Sequence, residues 1–203
     1  MSESGHGLAE TVSTLIHARQ TILPKRLVEP GPDACQLELI AGAASAAPDH
    51  RSMVPWRFVI VPIAQRGRLA EVFALSLLER DDSATPEQVA QAREKAHRAP
   101  LLMLAIARNG SPGEEVLPAE RLVSAGCAIQ NMLLMATALG FGSALTSGKA
   151  LQSAGLRQLF GLAADEQALC FISMGTVLAR KSARPRPLPD SYLSTLPDPP
   201  PAA

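Results

Sequence analysis

Three apolar runs of strand length lie far apart along the chain, and their spacing constrains the fold more than any other feature of the sequence. They are RFVIVPI at 57–63, LLMLAIA at 101–107 and ALCFISMGTV at 168–177. Short, continuous apolar runs of this kind are typical of strands that are buried on both faces. Because one or more helices are predicted between successive runs, we expect a small α+β sandwich with a mainly buried sheet. The pattern leaves the order of the strands open.

Apolar periodicity and capping residues predict the helices. The predicted helical segments are 9–19, 34–47, 66–80, 86–98, 118–139 and 150–160. Asp33 is expected to cap the second of these, and Thr85 with Pro86 to open the fourth. The segment 118–139 would be about 33 Å long at 1.5 Å per residue, so we expect a central core helix or one side of a dimer interface. The small residues Ser124–Gly126 within it favour the close approach of another helix.

Length and composition indicate one domain. A chain of 203 residues with 47% hydrophobic residues can bury a sizeable core, and no repeat or linker divides it. We expect a flexible N-terminus at 1–8, a single domain at 9–182 and a proline-rich C-terminal tail at 183–203.

The charge balance limits the partners. The 19 basic and 19 acidic residues are scattered along the chain and cancel, which leaves no electrostatic footprint for nucleic acid or for an anionic membrane. We therefore expect no nucleic acid and no membrane, and partners that are small molecules or a second copy of the chain.

The cysteines and the first residues bear on the compartment. Cys35, Cys127 and Cys170 are far apart and set among apolar neighbours, as buried free thiols usually are. The first ten residues lack the basic and apolar regions of a secretory signal, and no uncharged apolar run reaches membrane-spanning length. We expect a cytoplasmic protein in a reducing compartment.

Self-contained catalytic motifs are missing from the sequence. It contains no GxSxG, no HExxH, no paired CxxC, no Walker loop and no GxGxxG after a strand. The four histidines do not cluster, and only His50 lies in a loop, beside Asp49 and Arg51. Metal chemistry is therefore not expected, and in an enzyme of this kind a cofactor is expected to carry the difficult chemistry.

Four segments, taken in order, resemble one family. They are ARQT at 18–21, APDHRSMVPWRFVIV at 47–61, HRAPLLMLAIA at 97–107 and AGCAIQNMLLMATALGFGS at 125–143. Their order and spacing resemble the small single-domain members of the nitroreductase family, over roughly residues 15–176. The resemblance implies a sandwich with a central mixed sheet flanked by helices and a long central helix, and FMN bound at a homodimer interface.

The resemblance also implies an activity. NADH or NADPH would deliver hydride to flavin N5 and leave, and a small-molecule electron acceptor such as a nitroaromatic or a quinone would then take its place in a ping-pong cycle. No residue is expected to act as a nucleophile, because the flavin carries the chemistry.

Candidate FMN-binding residues follow from the family pattern. In this family an Arg-x-Ser/Thr at the end of the first helix holds the phosphate, the Pro-Trp loop contacts the flavin, and further contacts come from a segment like TSG and from basic residues after the last strand. The corresponding residues here are Arg19, Gln20, Thr21, His50, Arg51, Ser52, Thr146, Ser147, Gly148, Arg180 and Lys181.

Structural alternatives stay open for three of these groups. Arg19 could interact only with the dipole at the C-terminal end of the first helix. The loop in front of the strand at 57–63 could be a tight connection in which Asp49 and His50 satisfy backbone groups. The segment 146–148 could also be an N-cap turn.

Two departures from the family pattern reduce the positive charge around the phosphate. Ala18 stands where related proteins often carry a second Arg, and Thr146 stands where small members can carry an Arg. A flavin-binding carrier or sensor, or a homodimeric module with little turnover, therefore remains an alternative to the enzyme.

Overall fold

The computed structural model describes residues 3–111, 113–179 and 185–196. The helices in these residues are α1 (Glu3–Ala18), α2 (Ala34–Ala43), α3 (Arg66–Leu78), α4 (Pro86–Glu94), α5 (Pro118–Ala138) and α6 (Ala154–Phe160). The strands are β1 (Leu27–Val28), β2 (Trp56–Ile60), β3 (Leu101–Arg108), β4 (Gly142–Thr146) and β5 (Glu166–Val177). None of the helices in the described residues combines the length and the apolar character that a membrane crossing requires.

Local capping explains where several helices begin. Asp33 Oδ1 accepts a hydrogen bond from the backbone N–H of Gln36 at 2.8 Å, and Thr85 Oγ1 accepts one from Gln88 N at 3.3 Å. In both cases the glutamine side chain returns to the N-cap backbone, which completes a capping box. The caps predicted at Asp33 and Thr85 are therefore confirmed.

Two helix starts differ from the prediction. Helix α1 begins at Glu3, before the predicted start at residue 9. Helix α6 begins at Ala154, not at residue 150, because Ser153 Oγ caps it by accepting from Leu156 N at 3.2 Å. The residues before it, Lys149–Gln152, form a 3₁₀ turn instead.

The sheet is antiparallel, with β3 and β5 at its centre. β3 pairs with β2 on one side and with β5 on the other, and β5 pairs in turn with β4 and with β1. Every pair of named strands is antiparallel, and the parallel contact in the described residues is an isolated bridge between Thr21 and Ser143. A mixed sheet was expected, and its parallel component is limited to that bridge.

Helices cover both faces of the sheet, as the α+β sandwich requires. On one face α2 and α5 contribute Ile40 and Met132 to a core with Ile172 of β5. On the other face α3 and α6 contribute Leu69 and Leu156 to a core with sheet residues that include Leu104 and Phe171. The predicted long helix α5 is confirmed as a core helix, since most of one face is buried.

The three cysteines differ in burial. Cys170 in β5 is buried, and burial raises the pKa of its thiol to about 11. Cys127 is half-buried, whereas Cys35 is exposed in the first turn of α2. The expectation of three buried thiols is wrong for Cys35, because apolar sequence neighbours do not determine which side of a helix a residue occupies.

Candidate functional site

A cavity of about 520 Å³ lies where β4 ends, between that strand and the helices α3 and α4. Its volume is in the usual range for small-molecule sites. Phe73 and Phe171 contribute aromatic surface to it, and their rings meet edge to face with centroids 5.5 Å apart. Leu23 and Pro24, from the segment that follows α1, line the cavity as well. The cavity therefore offers an apolar surface suited to a flat ligand.

Thr146, Ser147 and Gly148 line this cavity together. Thr146 is the last residue of β4 and pairs with Phe171 of β5, so the sheet fixes the position at which the segment starts. Gly148 precedes the 3₁₀ turn Lys149–Gln152 in the N-cap position, and its carbonyl accepts from Leu151 N at 3.0 Å. The segment is thus both a turn and part of the cavity wall, as the sequence allowed.

Arg19, Gln20 and Thr21 lie at the other end of β4. Thr21 bridges to Ser143, and the N–H of Ile22 donates to the Ser143 carbonyl at 2.9 Å. Ser143 and Thr146 are three residues apart on β4, which is about 10 Å along a strand. The segment that follows α1 runs beside β4 from Thr21 towards the cavity, so one strand connects the predicted phosphate residues to the cavity wall.

A close approach of three chain segments defines this end of β4. A Cβ atom at Gly142 would lie 2.3 Å from Val177 Cγ2 and 2.9 Å from Leu27 Cδ2. Only glycine fits there without displacement of its neighbours. The end of β5 is therefore packed beside the start of β4. Arg180 and Lys181 lie outside the described residues.

Arg186 is a cation beside this site that the sequence did not point to. Its Nη2 donates to the carbonyl oxygen of Arg19 at 3.0 Å. A guanidinium at the C-terminal end of α1 also complements the helix dipole. The contact joins residues far apart in sequence, and the local pattern of prolines around Arg186 gives no signal of it.

His50, Arg51 and Ser52 lie at a different edge of the sheet. They precede β2, which β3 and β5 separate from β4, so the two edges are about 14 Å apart at the usual strand spacing. His50 Nδ1 is 3.4 Å from Glu120 Oε2, and Arg51 Nη1 is 2.7 Å from Glu115 Oε2. A single protomer therefore does not bring this loop to the cavity.

The same loop has a strained backbone held by Asp49. Arg51, Ser52 and Val54 have φ values of 58°, 52° and 47°, a region that is especially unfavourable for a β-branched residue such as Val. Asp49 Oδ2 accepts from Val54 N at 2.7 Å, and its carbonyl accepts from Ser52 N at 3.3 Å. Asp49 Oδ1 is buried with no hydrogen-bond partner in the described residues. The structural role suggested for Asp49 is therefore present, whereas His50 contacts Glu120 rather than the local backbone.

A partly buried ion pair between Arg57 and Glu166 lies away from the cavity. Arg57 donates to Glu166 through Nε at 2.8 Å and Nη2 at 2.7 Å, and this hydrogen bonding is the main reason that the pKa of Glu166 falls to about 2. The N–H of Ala163 adds a hydrogen bond at 3.1 Å. The pair joins β2 to β5 near the end of the sheet and is a structural contact.

The chain is similar to known proteins over most of its length. The model of the nitroreductase family matches residues 19–176. The "Putative NAD(P)H nitroreductase" of Haemophilus influenzae is 32% identical over 163 residues, covering 80% of this chain and 86% of that protein. The "Putative NAD(P)H nitroreductase YdjA" of Escherichia coli is 33% identical over 169 residues, covering 82% of this chain and 88% of that protein.

A solved structure agrees with the fold. The FMN-dependent nitroreductase NfnB from Mycobacterium smegmatis, crystallised in complex with NADPH, superposes with a TM-score of 0.71 at 19% identity. The alignment covers 94% of this chain and 100% of that chain.

Proposed function

The chain belongs to the nitroreductase family and is an oxidoreductase, and we propose that it is an FMN-dependent NAD(P)H oxidoreductase that works by a ping-pong cycle. The acceptors proposed are nitroaromatic compounds, quinones or similar molecules. For a nitroaromatic, the balance is ArNO₂ + NAD(P)H + H⁺ → ArNO + NAD(P)⁺ + H₂O. A cytoplasmic location is proposed from the sequence.

The observation that carries this proposal is the arrangement along β4. The cavity with Thr146–Gly148 is at one end of the strand, and Thr21 is bridged to Ser143 near the other end. The isoalloxazine ring of FMN in the cavity and its phosphate near Arg19 could be joined by the ribityl chain of the cofactor, which would follow β4. The positive charge of Arg186 beside Arg19 suits the phosphate end. These residues fit FMN.

Each part of the chain has a distinct task in this proposal. Bound FMN supplies the hydride chemistry. Arg19, Gln20 and Thr21 hold the phosphate, and Thr146, Ser147 and Gly148 orient the ring. The apolar wall with Phe73 and Phe171 excludes water and aligns the two reactants in turn. His50 of the same protomer is too distant to protonate an acceptor in the cavity, so water is the proton source within one protomer.

We further propose that the protein is a homodimer. Leu8, Val12 and Ile16 form an apolar stripe on α1 with 46–66% of each side chain exposed. Four large apolar residues of the C-terminal segment have 71–90% of their side chains exposed: Leu188, Tyr192, Leu193 and Leu196. A second copy would cover these surfaces and bring its own His50–Ser52 loop to the cavity, which a single protomer leaves apart.

Anaerobic flavin reduction tests the proposed function. NADH or NADPH should bleach the flavin absorbance of the FMN-loaded protein, and a nitroaromatic added afterwards should restore it. Bound FMN that neither donor reduces would favour the carrier or sensor. Free FMN in the same buffer is the control for reduction without protein.

A further inference from the structure

The cavity wall carries positive charge from several separate elements. Four of its lining residues are cations: Arg80, Lys95, Arg98 and Lys149. Among the described residues that line the cavity, none is an Asp or a Glu. Since the whole chain carries 19 basic and 19 acidic residues, this excess is local. A cleft with one sign of charge attracts ligands of the opposite sign.

These cations differ in how far they are already neutralised. Arg98 Nε donates to Glu94 Oε2 at 2.7 Å, and Arg80 Nε donates to the Ser76 carbonyl at 2.6 Å. Among the described residues, neither Lys95 nor Lys149 forms an ion pair. Glu94 therefore neutralises the charge of Arg98, and both lysines remain available to a ligand.

The charges are set around an apolar wall. Phe73, Leu77, Leu102 and Phe171 line the same cavity. Gln88, Gln91 and Lys95 follow one another at helical spacing along α4 and the turn after it, so one face of that segment points hydrogen-bonding groups and a charge into the cavity. This combination fits a flat molecule that carries an anionic group at its edge.

We infer that the electron acceptor is an anionic aromatic molecule, a nitroaromatic or quinone carboxylate, whose carboxylate binds at the cationic wall with Lys95 as a main contact. The inference rests on the proposed function and narrows its acceptor class. A phosphate of NADPH or of FMN shares the anionic chemistry, and the experiment below separates these sources.

The test compares two acceptors that differ in charge. 4-Nitrobenzoate and 4-nitrobenzamide have the same ring and nitro group, and each is titrated calorimetrically into FMN-loaded wild type, Lys95→Gln and Arg68→Gln. Arg68 is an exposed cation on α3 outside the cavity wall, so its variant controls for the loss of one charge. The wild type is expected to prefer the carboxylate by about fivefold or more, and Lys95→Gln should lose about that factor for the carboxylate only. Arg68→Gln should change neither affinity.

Other results overturn the inference. Equal affinities for the two compounds in wild type would contradict it, as would an equal loss for both in Lys95→Gln. If Lys95→Gln instead weakens NADPH but not NADH, or FMN but not riboflavin, the cations serve the donor or the cofactor phosphate. A protein that NAD(P)H reduces but that shows no preference for the carboxylate would refute this inference and leave the proposed function standing. Failure to bind FMN refutes the proposed function, and titration of the folded, FMN-free protein with the same two compounds still decides the charge preference.

Discussion

Among the described residues, Val54 is the β-branched residue with a positive φ, a backbone conformation that is unfavourable for its side chain. Its φ is 47°, and about half of the side chain is exposed (52%). Left-handed backbone costs an ordinary residue about 1–2 kcal/mol, and the exposed side chain recovers little of it through packing. The loop that carries His50 and Arg51 is therefore held in place by Asp49 at the expense of stability, as is common near functional sites.

Replacing Val54 with glycine should relieve that strain. We expect Val54→Gly to raise the free energy of unfolding by about 1 kcal/mol, because glycine adopts positive φ without a steric penalty. Ile63 is the matched control, since it is also β-branched and exposed (73%) but is not among the described residues with positive φ. Ile63→Gly should lower stability. Urea denaturation measures both, and a loss of stability in Val54→Gly would show that the loop is unstrained.

A substitution at Arg19 distinguishes a residue that binds the FMN phosphate from one that only interacts with the helix dipole. If Arg19 binds the phosphate, Arg19→Ala removes a charge-assisted hydrogen bond and should weaken FMN by roughly 1.5–3 kcal/mol, or about one to two decades in Kd. Riboflavin lacks the phosphate and should bind almost unchanged. Titration with both flavins at equal thermal stability is the measurement, with Arg68→Ala as the control. An equal effect on both flavins would assign the phosphate to other residues, with Arg186, Arg51, Arg180 and Lys181 the next candidates.

Elements with strong local signals could be predicted from the sequence alone. The capping boxes at Asp33 and Thr85 and the long α5 depend only on neighbours within one or two turns. Gly140, which follows α5, has a φ of 90°, a backbone conformation that glycine commonly supplies after a helix. Strand β1 was not predicted, because Leu27 and Val28 become a strand only by pairing with Val177 and Thr176 at the far end of the chain. Such pairing depends on sheet order, which periodicity does not contain.

Gly142 tests how tightly the start of β4 is packed. Gly142→Ala should lower the free energy of unfolding by about 1–3 kcal/mol, because its Cβ would overlap Val177 in a site with no spare volume. The control is Gly67 in α3, where an added Cβ meets nothing within 4 Å. Gly67→Ala should raise stability by up to about 1 kcal/mol. Equal and small effects at the two sites, measured by urea denaturation, would mean that the strands separate easily there.

At the scale of the whole molecule, the sequence predicts the candidate site only as separate groups of residues and not their arrangement in space. The sequence motifs identified four segments, of which the one with Arg180 and Lys181 lies outside the described residues. The sheet places Thr21 and Thr146 along one strand but His50 at the opposite edge. Strand order and the partner protomer decide whether such segments meet, and neither follows from spacing in one chain. Arg186 was missed for the same reason, since its contact with Arg19 spans most of the sequence.

The proposed dimer can be tested on the exposed stripe of α1. The double variant Val12→Asp with Ile16→Asp should shift the protein towards monomer, because two charges cannot be buried unpaired in an apolar interface. FMN affinity should fall with it if a partner completes the site. Leu75→Asp is the control, since Leu75 is an exposed apolar residue (56%) on α3. Sedimentation velocity measures the mass, and a wild type that is monomeric at micromolar concentration contradicts the dimer.

Calorimetric titration of the folded, flavin-free protein with FMN tests whether the chain binds this cofactor. Saturation is expected at one FMN per chain, because the cavity lies at one end of β4 and the proposed phosphate residues lie beside its other end. Circular dichroism and a cooperative melting transition establish that the sample is folded. A folded protein that releases no heat of FMN binding and acquires no bound flavin absorbance after gel filtration would contradict the claim.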